Sequence, residues 1–134
     1  MRELNCAVEG KAVNLKTLVC DEPGHGGACH HYQIIDVSRQ NTGVDCDSVL
    51  LDIEFQNGPI DADGNGVNGV NGVNGVQHED LLAIIIDRLK GFQSGPYECD
   101  DNAEALEHCN AALECLQRRT RQRIARGVEG THTV

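Results

Sequence analysis

The densest chemistry in the chain is a run of five arginines, Arg118, Arg119, Arg121, Arg123 and Arg126, within nine positions. A guanidinium holds phosphate oxygens through two parallel hydrogen bonds, so such a run suits a small phosphorylated ligand. It equally suits a solvated C-terminal helical turn, where cations offset the helix dipole. The surrounding charge narrows the partners. Net charge is −10, with −14 carried before Arg118 (six basic against twenty acidic residues) and +4 from there on (five against one). Duplex DNA or RNA needs an extended basic face, which this acidic chain lacks. A second constellation lies upstream. Phe92 offers a flat face to a base, Gly95-Pro96 makes a turn, and Asn102 offers both a donor and an acceptor. The alternative is a core phenylalanine and a helix-start asparagine. Stacking has few other sources, since the only aromatics are Tyr32, Phe55, Phe92 and Tyr97.

Other motifs lead nowhere specific. Asp61-x-Asp63-x-Asn65-Gly66 opens like a calcium loop, but its twelfth position is Gly72 where a bidentate Glu belongs. Cys20, His25, Cys29, His30 and His31 are metal-competent side chains without the paired spacing of a zinc site, and no metal is expected. No catalytic set emerges: nucleophile elbow, phosphate loop and dinucleotide fingerprint are all missing. Thr131-His132-Thr133 is a single His-x-Thr where tandem-motif phosphodiesterases need two. No cofactor is expected. Seven cysteines, with neither a signal-like segment nor a membrane-length apolar run, suggest free thiols in a reducing cytoplasm.

These groups need elements to hold them. Leu15 to Cys20 and His31 to Val37 are β-tolerant, separated by a loop from Asp21 to Gly27, and Gln40 to Gly43 signals a turn. Val49, Leu51, Ile53 and Phe55 alternate with Leu50, Asp52 and Glu54, the period of a half-buried strand. Two or three antiparallel strands follow. Asn-Gly-Val repeats four times from Asn65 to Val76 and reads as a loop. Helical patterning starts near Gln77, with Glu79 and Asp80 in the first turn. Leu82, Ile85, Leu89 and Phe92 share a face widened by Leu81 and Ile84, which predicts a well-buried helix ended by Ser94-Gly95-Pro96. In a second helix, Asp101 and Glu104 are spaced for a capping box. Leu106, Cys109, Leu113, Leu116, Thr120 and Ile124 form its face, and Gly127 ends it. The expected fold class is α+β: a small N-terminal antiparallel sheet over 1–60, a low-complexity loop over 61–76, and an antiparallel helical hairpin with an arginine-rich tail over 77–134.

Several stretches occur together in order: Phe55-Gln56-Asn57-Gly58-Pro59-Ile60, Asn74-Gly75-Val76, Leu81-Leu82-Ala83-Ile84-Ile85-Ile86-Asp87-Arg88-Leu89, Phe92-Gln93-Ser94-Gly95-Pro96-Tyr97-x-Cys99-x-x-Asn102-Ala103, and Ala125-Arg126-Gly127-Val128-Glu129-Gly130-Thr131-His132-Thr133. From about Val49 onward the chain resembles the phage Thoeris anti-defence sponges, which are related to the anti-CBASS sponges through their helical domain. The resemblance implies a sheet followed by a helical hairpin, and dimers assembling to a homohexamer. It implies a non-enzymatic protein that sequesters glycocyclic ADP-ribose in the cytoplasm of the infected host. Some members also bind cyclic di- or trinucleotides at a separate interface. The family's ligand-binding Phe and Asn fall on Phe92 and Asn102. Gln93, Pro96, Asn57, Arg118, Arg119, Arg123, Arg126 and Thr131 complete the candidate set. The chain departs from the family in its longer Asn-Gly-Val array, in Gln77-His78 where Thr-Asn is usual, in Tyr97 for Phe, and in Asp100 and Asp101 near an anion pocket. The competing readings are an enzyme that degrades the same signals and a purely structural oligomeric protein.

Overall fold

A computed structural model describes residues 1–4, 14–42, 48–60 and 72–127, which form two compact units, 1–57 and 58–134. The calcium-like motif, most of the Asn-Gly-Val array, Cys6, Cys46 and Thr131 lie outside the described residues.

The first unit is a four-stranded antiparallel meander of β1 (Arg2–Leu4), β2 (Leu15–Val19), β3 (His31–Asp36) and β4 (Val49–Glu54), in that spatial order. Two or three strands were expected. The additional one, β1, is three residues long, too short to display an alternation, and is defined by its pairing of Glu3 with Leu18. The alternation expected along β4 is also broken. Ile34 pairs with Leu51 but Ile35 pairs with Val49, so Leu50 is an extra residue on β4. This bulge leaves Leu51 and Ile53 on the face of Ile34 and Tyr32 and moves Val49 to the face of Ile35.

Val19 is fully buried, Cys29 and Ile35 nearly so, and Tyr32 meets Phe55 edge-to-face at 5.6 Å. Short 3-10 turns occupy His25–Gly27 and Val37–Thr42, the second where only a turn was expected. The loop into β3 is closed by Asp21, whose carboxylate accepts the backbone N–H of His30 at 2.9 Å and of His31 at 3.1 Å. Gly24 lies in a tight corner: a Cβ there would stand 3.1 Å from Asn57 Oδ1 and 3.2 Å from the His30 ring, so both side chains would have to give way slightly.

The second unit is a helical hairpin of α1 (His78–Gln93) and α2 (Asp100–Ala125). At the start of α1 the Gln77 N–H donates to Asp80 Oδ2 at 2.8 Å, so an acidic residue in the first turn serves the cap despite the unusual Gln77. The least exposed residues of α1 include Glu79, Leu82, Ile86, Leu89 and Gln93, alternating three and four apart. On α2 they are Asn102, Leu106, Cys109, Leu113, Leu116, Thr120 and Arg123, alternating four and three. This is the 3.5-residue repeat of a coiled-coil-like seam.

Most of the predicted faces stand, Leu82 and Leu89 on α1 and Leu106 to Thr120 on α2, but individual positions shift by one. Ile86 and Gln93 enter the seam where Ile85 and Phe92 were expected, and Arg123 continues it in place of Ile124, which is half-exposed. The expectation of a well-buried α1 is corrected too: Ile84 is 65% exposed and Ile85 46%, because one partner helix covers only a narrow stripe of a broad apolar surface.

Candidate ligand-binding site at the hairpin tip

The connection between the helices is held by Gln93. Its Nε2 donates to the Cys99 carbonyl at 3.1 Å, and its Oε1 accepts the Cys99 N–H at 3.2 Å. Ser94 Oγ donates to the Gly91 carbonyl at 2.9 Å, tightening the end of α1. Gln93, a ligand candidate in the sequence, thus spends both ends of its amide on the backbone. It acts here as the clasp that fixes the end of α1 to the start of α2.

The start of α2 differs from expectation. Its cap is Cys99, whose Sγ accepts the Asn102 N–H at 3.4 Å, and not the predicted Asp101 box. The helix begins two residues earlier than a cap at Asp101 allows. Asp100 and Asp101 both fall in its first turn, and the Asn102 N–H, one of the helix-start amides that can attract an anion, is already engaged.

What remains at the tip is a cluster of Arg88, Phe92 and Tyr97, with Pro96 in the turn and Asn102 at the start of α2. Phe92 is 36% exposed, on the flank of the seam. The Arg88 guanidinium carbon lies over its ring, 4.9 Å from the centroid, and the Tyr97 ring stands 6.5 Å away at an interplanar angle of 57°. Asn102 is half-buried, and among the described residues its side-chain amide has no hydrogen-bond partner. Pro96 is exposed in the turn. Neither Arg88 nor a contact between Tyr97 and Phe92 was singled out from the sequence. The spacing of Arg88 four residues before Phe92 was the available signal.

The arginine run does not form one patch. Arg118 Nη2 donates to Cys115 Sγ at 3.5 Å, and Arg121 pairs with Glu114 at 2.7 Å. Arg123 is buried in the line of the seam at 7% exposure, whereas Arg119 and Arg126 are exposed. Nor does the run meet the tip within one chain. Asn102 and Arg119 lie on the same helix, about 26 Å apart at 1.5 Å per residue, and Arg126 is about 36 Å from Asn102.

In the other unit, Asn57 Oδ1 accepts the His25 N–H at 3.5 Å, at the edge of the Gly24 turn. His31 Nε2 lies 2.6 Å from Asp52 Oδ1, and Gln33 Nε2 donates to the same oxygen at 3.2 Å. These two bonds, that of His31 first, hold Asp52 below the usual carboxylate range. Nearby Cys20 is pushed up, by desolvation first and then by the charges of Asp52 and Asp21, the opposite of an activated thiol. Cys20, Cys29, Cys99, Cys109 and Cys115 are free thiols. Among the described residues no three His, Cys, Asp or Glu side chains converge as metal ligands, and no helix is long and apolar enough to cross a membrane.

Comparison with known proteins gives this geometry a family. Residues 47–121 match the family model described as Acb2/Tad1, hairpin domain. The chain is also 39% identical over 103 residues to the protein named Thoeris anti-defense 1 of Bacillus phage SBSphiJ7. That alignment covers 76% of this chain, which spans 66% of the relative's length. The family match takes in the strand β4, both sides of the clasped turn and most of α2, more than half of the sequence, and the chain belongs to the Acb2/Tad1 hairpin family.

Proposed function

We propose that this chain is a phage anti-defence protein that sequesters a cyclic nucleotide-like immune signal without cleaving it, glycocyclic ADP-ribose foremost. The observation that carries this reading is the tip itself: an accessible Phe92 ring at the end of α1 and, in the first turn of α2 across the clasped connection, an Asn102 side-chain amide with no partner among the described residues. A ring of this kind contributes about 1–3 kcal/mol per stacked base, and a half-buried free amide rewards a ligand that satisfies both its donor and its acceptor. Pro96 is exposed in the turn between the two helices, within reach of a ligand held there, and Gln93 contributes by holding the turn in shape.

To withhold a signal from its effector the protein needs roughly nanomolar affinity, about −12 kcal/mol. One stack and one amide fall short of that. The arginines are the natural complement, but in a single chain Arg119 and Arg126 stand about 26 and 36 Å from Asn102. The complete site is therefore shared: the tip of one copy meets the arginine end of another, in a dimer that assembles further to a hexamer. The exposed Ile84 and Ile85 supply an apolar face for such an assembly. Arg119, Arg126 and Arg118, with Thr131 of the tail, contact phosphate from the second copy, and Arg123 orders the helix end that presents them. The place of action is the cytoplasm of the infected bacterium. Members binding cyclic di- or trinucleotides would use a second interface away from the tip.

Calorimetric titration with glycocyclic ADP-ribose tests the assignment. Phe92→Ala and Asn102→Ala should each weaken binding at least about tenfold while leaving the circular dichroism spectrum unchanged. Parent-like affinity in both variants would remove the tip from consideration.

A further inference from the structure

We propose that Arg88 is the phosphate-binding cation of the hairpin tip and, at the same time, the group that orients Phe92. The inference rests on the reading above that the tip holds a base-bearing, phosphorylated ligand.

Three observations carry it. First, the Arg88 guanidinium covers one face of the Phe92 ring at 4.9 Å. A base can then stack only on the opposite face, so Arg88 selects the side from which the ligand enters. Second, a guanidinium lying over a ring keeps its N–H donors at its edge, where they remain available to an anion. Among the described residues Arg88 has no carboxylate partner, so this donor set is uncommitted. Third, charge at the tip demands a cation. Asp100 and Asp101 open α2, and the Asn102 amide is bound to Cys99 Sγ. Between Arg39 and Arg118 the only basic residues are Arg88 and Lys90. Arg88 is the one in contact with Phe92. Without it the charges of Asp100 and Asp101 in the first turn of α2 would be countered at this end of α1 by Lys90 alone, which has no contact with the Phe92 ring. The ligand class that satisfies all three features is an aromatic base joined to a phosphate close enough for both to engage one turn of α1.

The test compares the full-length parent with Arg88→Met, Arg88→Lys and Phe92→Ala, titrating each with glycocyclic ADP-ribose at low and at near-physiological salt. Arg88→Met keeps apolar contact with the ring but removes the charge. It should bind about 10- to 100-fold more weakly, the usual size of a lost charge-assisted hydrogen bond, and its affinity should depend less on salt than the parent's. Arg88→Lys should retain the parent's salt dependence and lose about 3- to 10-fold, because an ammonium has neither the flat stacking surface nor the paired donors. Circular dichroism should be unchanged in all variants, since Arg88 is exposed. If Arg88→Met matched the parent in affinity and salt dependence while Phe92→Ala lost binding, the role given to Arg88 would be wrong and the tip would stand. If Phe92→Ala also matched the parent, or the parent failed to bind, the tip would fall and the role of Arg88 with it.

Discussion

Single side chains show how function and fold share the hairpin turn. Gln93 adjoins Phe92 and stands in the candidate ligand set. Its two bonds to the Cys99 backbone give it a positioning role. Gln93→Ala should lower stability by about 1–2 kcal/mol in urea unfolding, the cost of two partly exposed hydrogen bonds, and should also weaken ligand binding by loosening the tip. Asp21 makes a comparable closure in the sheet. The N–H of His30 foremost, then that of His31, holds its carboxyl below the usual range. A group with a depressed folded pKa contributes stability that is present above its unfolded pKa and lost as pH falls through the folded value. Acid unfolding below about pH 4 should therefore be shallower in Asp21→Asn than in the parent, measured by circular dichroism against pH. A parallel pair of curves would show that Asp21 does not couple to acid stability. The residue types of the site were legible in the sequence, but which of them touch ligand was less so. Phe92 fitted a three-and-four spacing through Leu82, Ile85 and Leu89, while the seam uses Leu82, Ile86, Leu89 and Gln93. Both series satisfy the helical period, and only the partner helix decides between them.

At the level of elements, the decisive feature is how little of α1 its partner covers. Ile86 is buried in the seam and Ile84 is not. Ile86→Ala should destabilise the chain by about 2–4 kcal/mol through lost burial and the cavity left behind. Ile84→Ser should change unfolding of the separate chain by less than about 0.5 kcal/mol, yet shift the sedimentation profile towards smaller species if the exposed face assembles copies. An unchanged sedimentation profile would assign Ile84 to no interface. Existence and type of the long elements followed from periodicity alone, which is strong in two helices of sixteen and twenty-six residues. Short elements were hidden for physical reasons. The strand β1 has three residues and gains its structure from β2. The bulge at Leu50 is a property of the pairing between two strands and leaves no trace in either strand alone. The Cys99 cap was masked because cysteine is a weak acceptor and Asp101 two residues later is a better-known one.

For the whole molecule, the acidic body and basic tail read from the sequence acquire a geometric meaning. The arginines sit at the far end of α2 from the ring they are proposed to complement. A shared site makes a mixing experiment informative: Phe92→Ala combined with Arg119→Ala/Arg126→Ala should recover binding in mixed assemblies that neither variant shows alone. The ligand class came from family membership and not from residue physics, which by itself supported only an anion-tolerant hairpin with an aromatic near its turn. The central claim is that the signal is held and not consumed. The most direct measurement is incubation of the protein with glycocyclic ADP-ribose until free ligand disappears, followed by heat denaturation and mass analysis of what is released. Sequestration requires full return of the intact cyclic molecule in a fixed ratio to protein. Release of a cleaved product, or disappearance of ligand beyond that ratio, would contradict it.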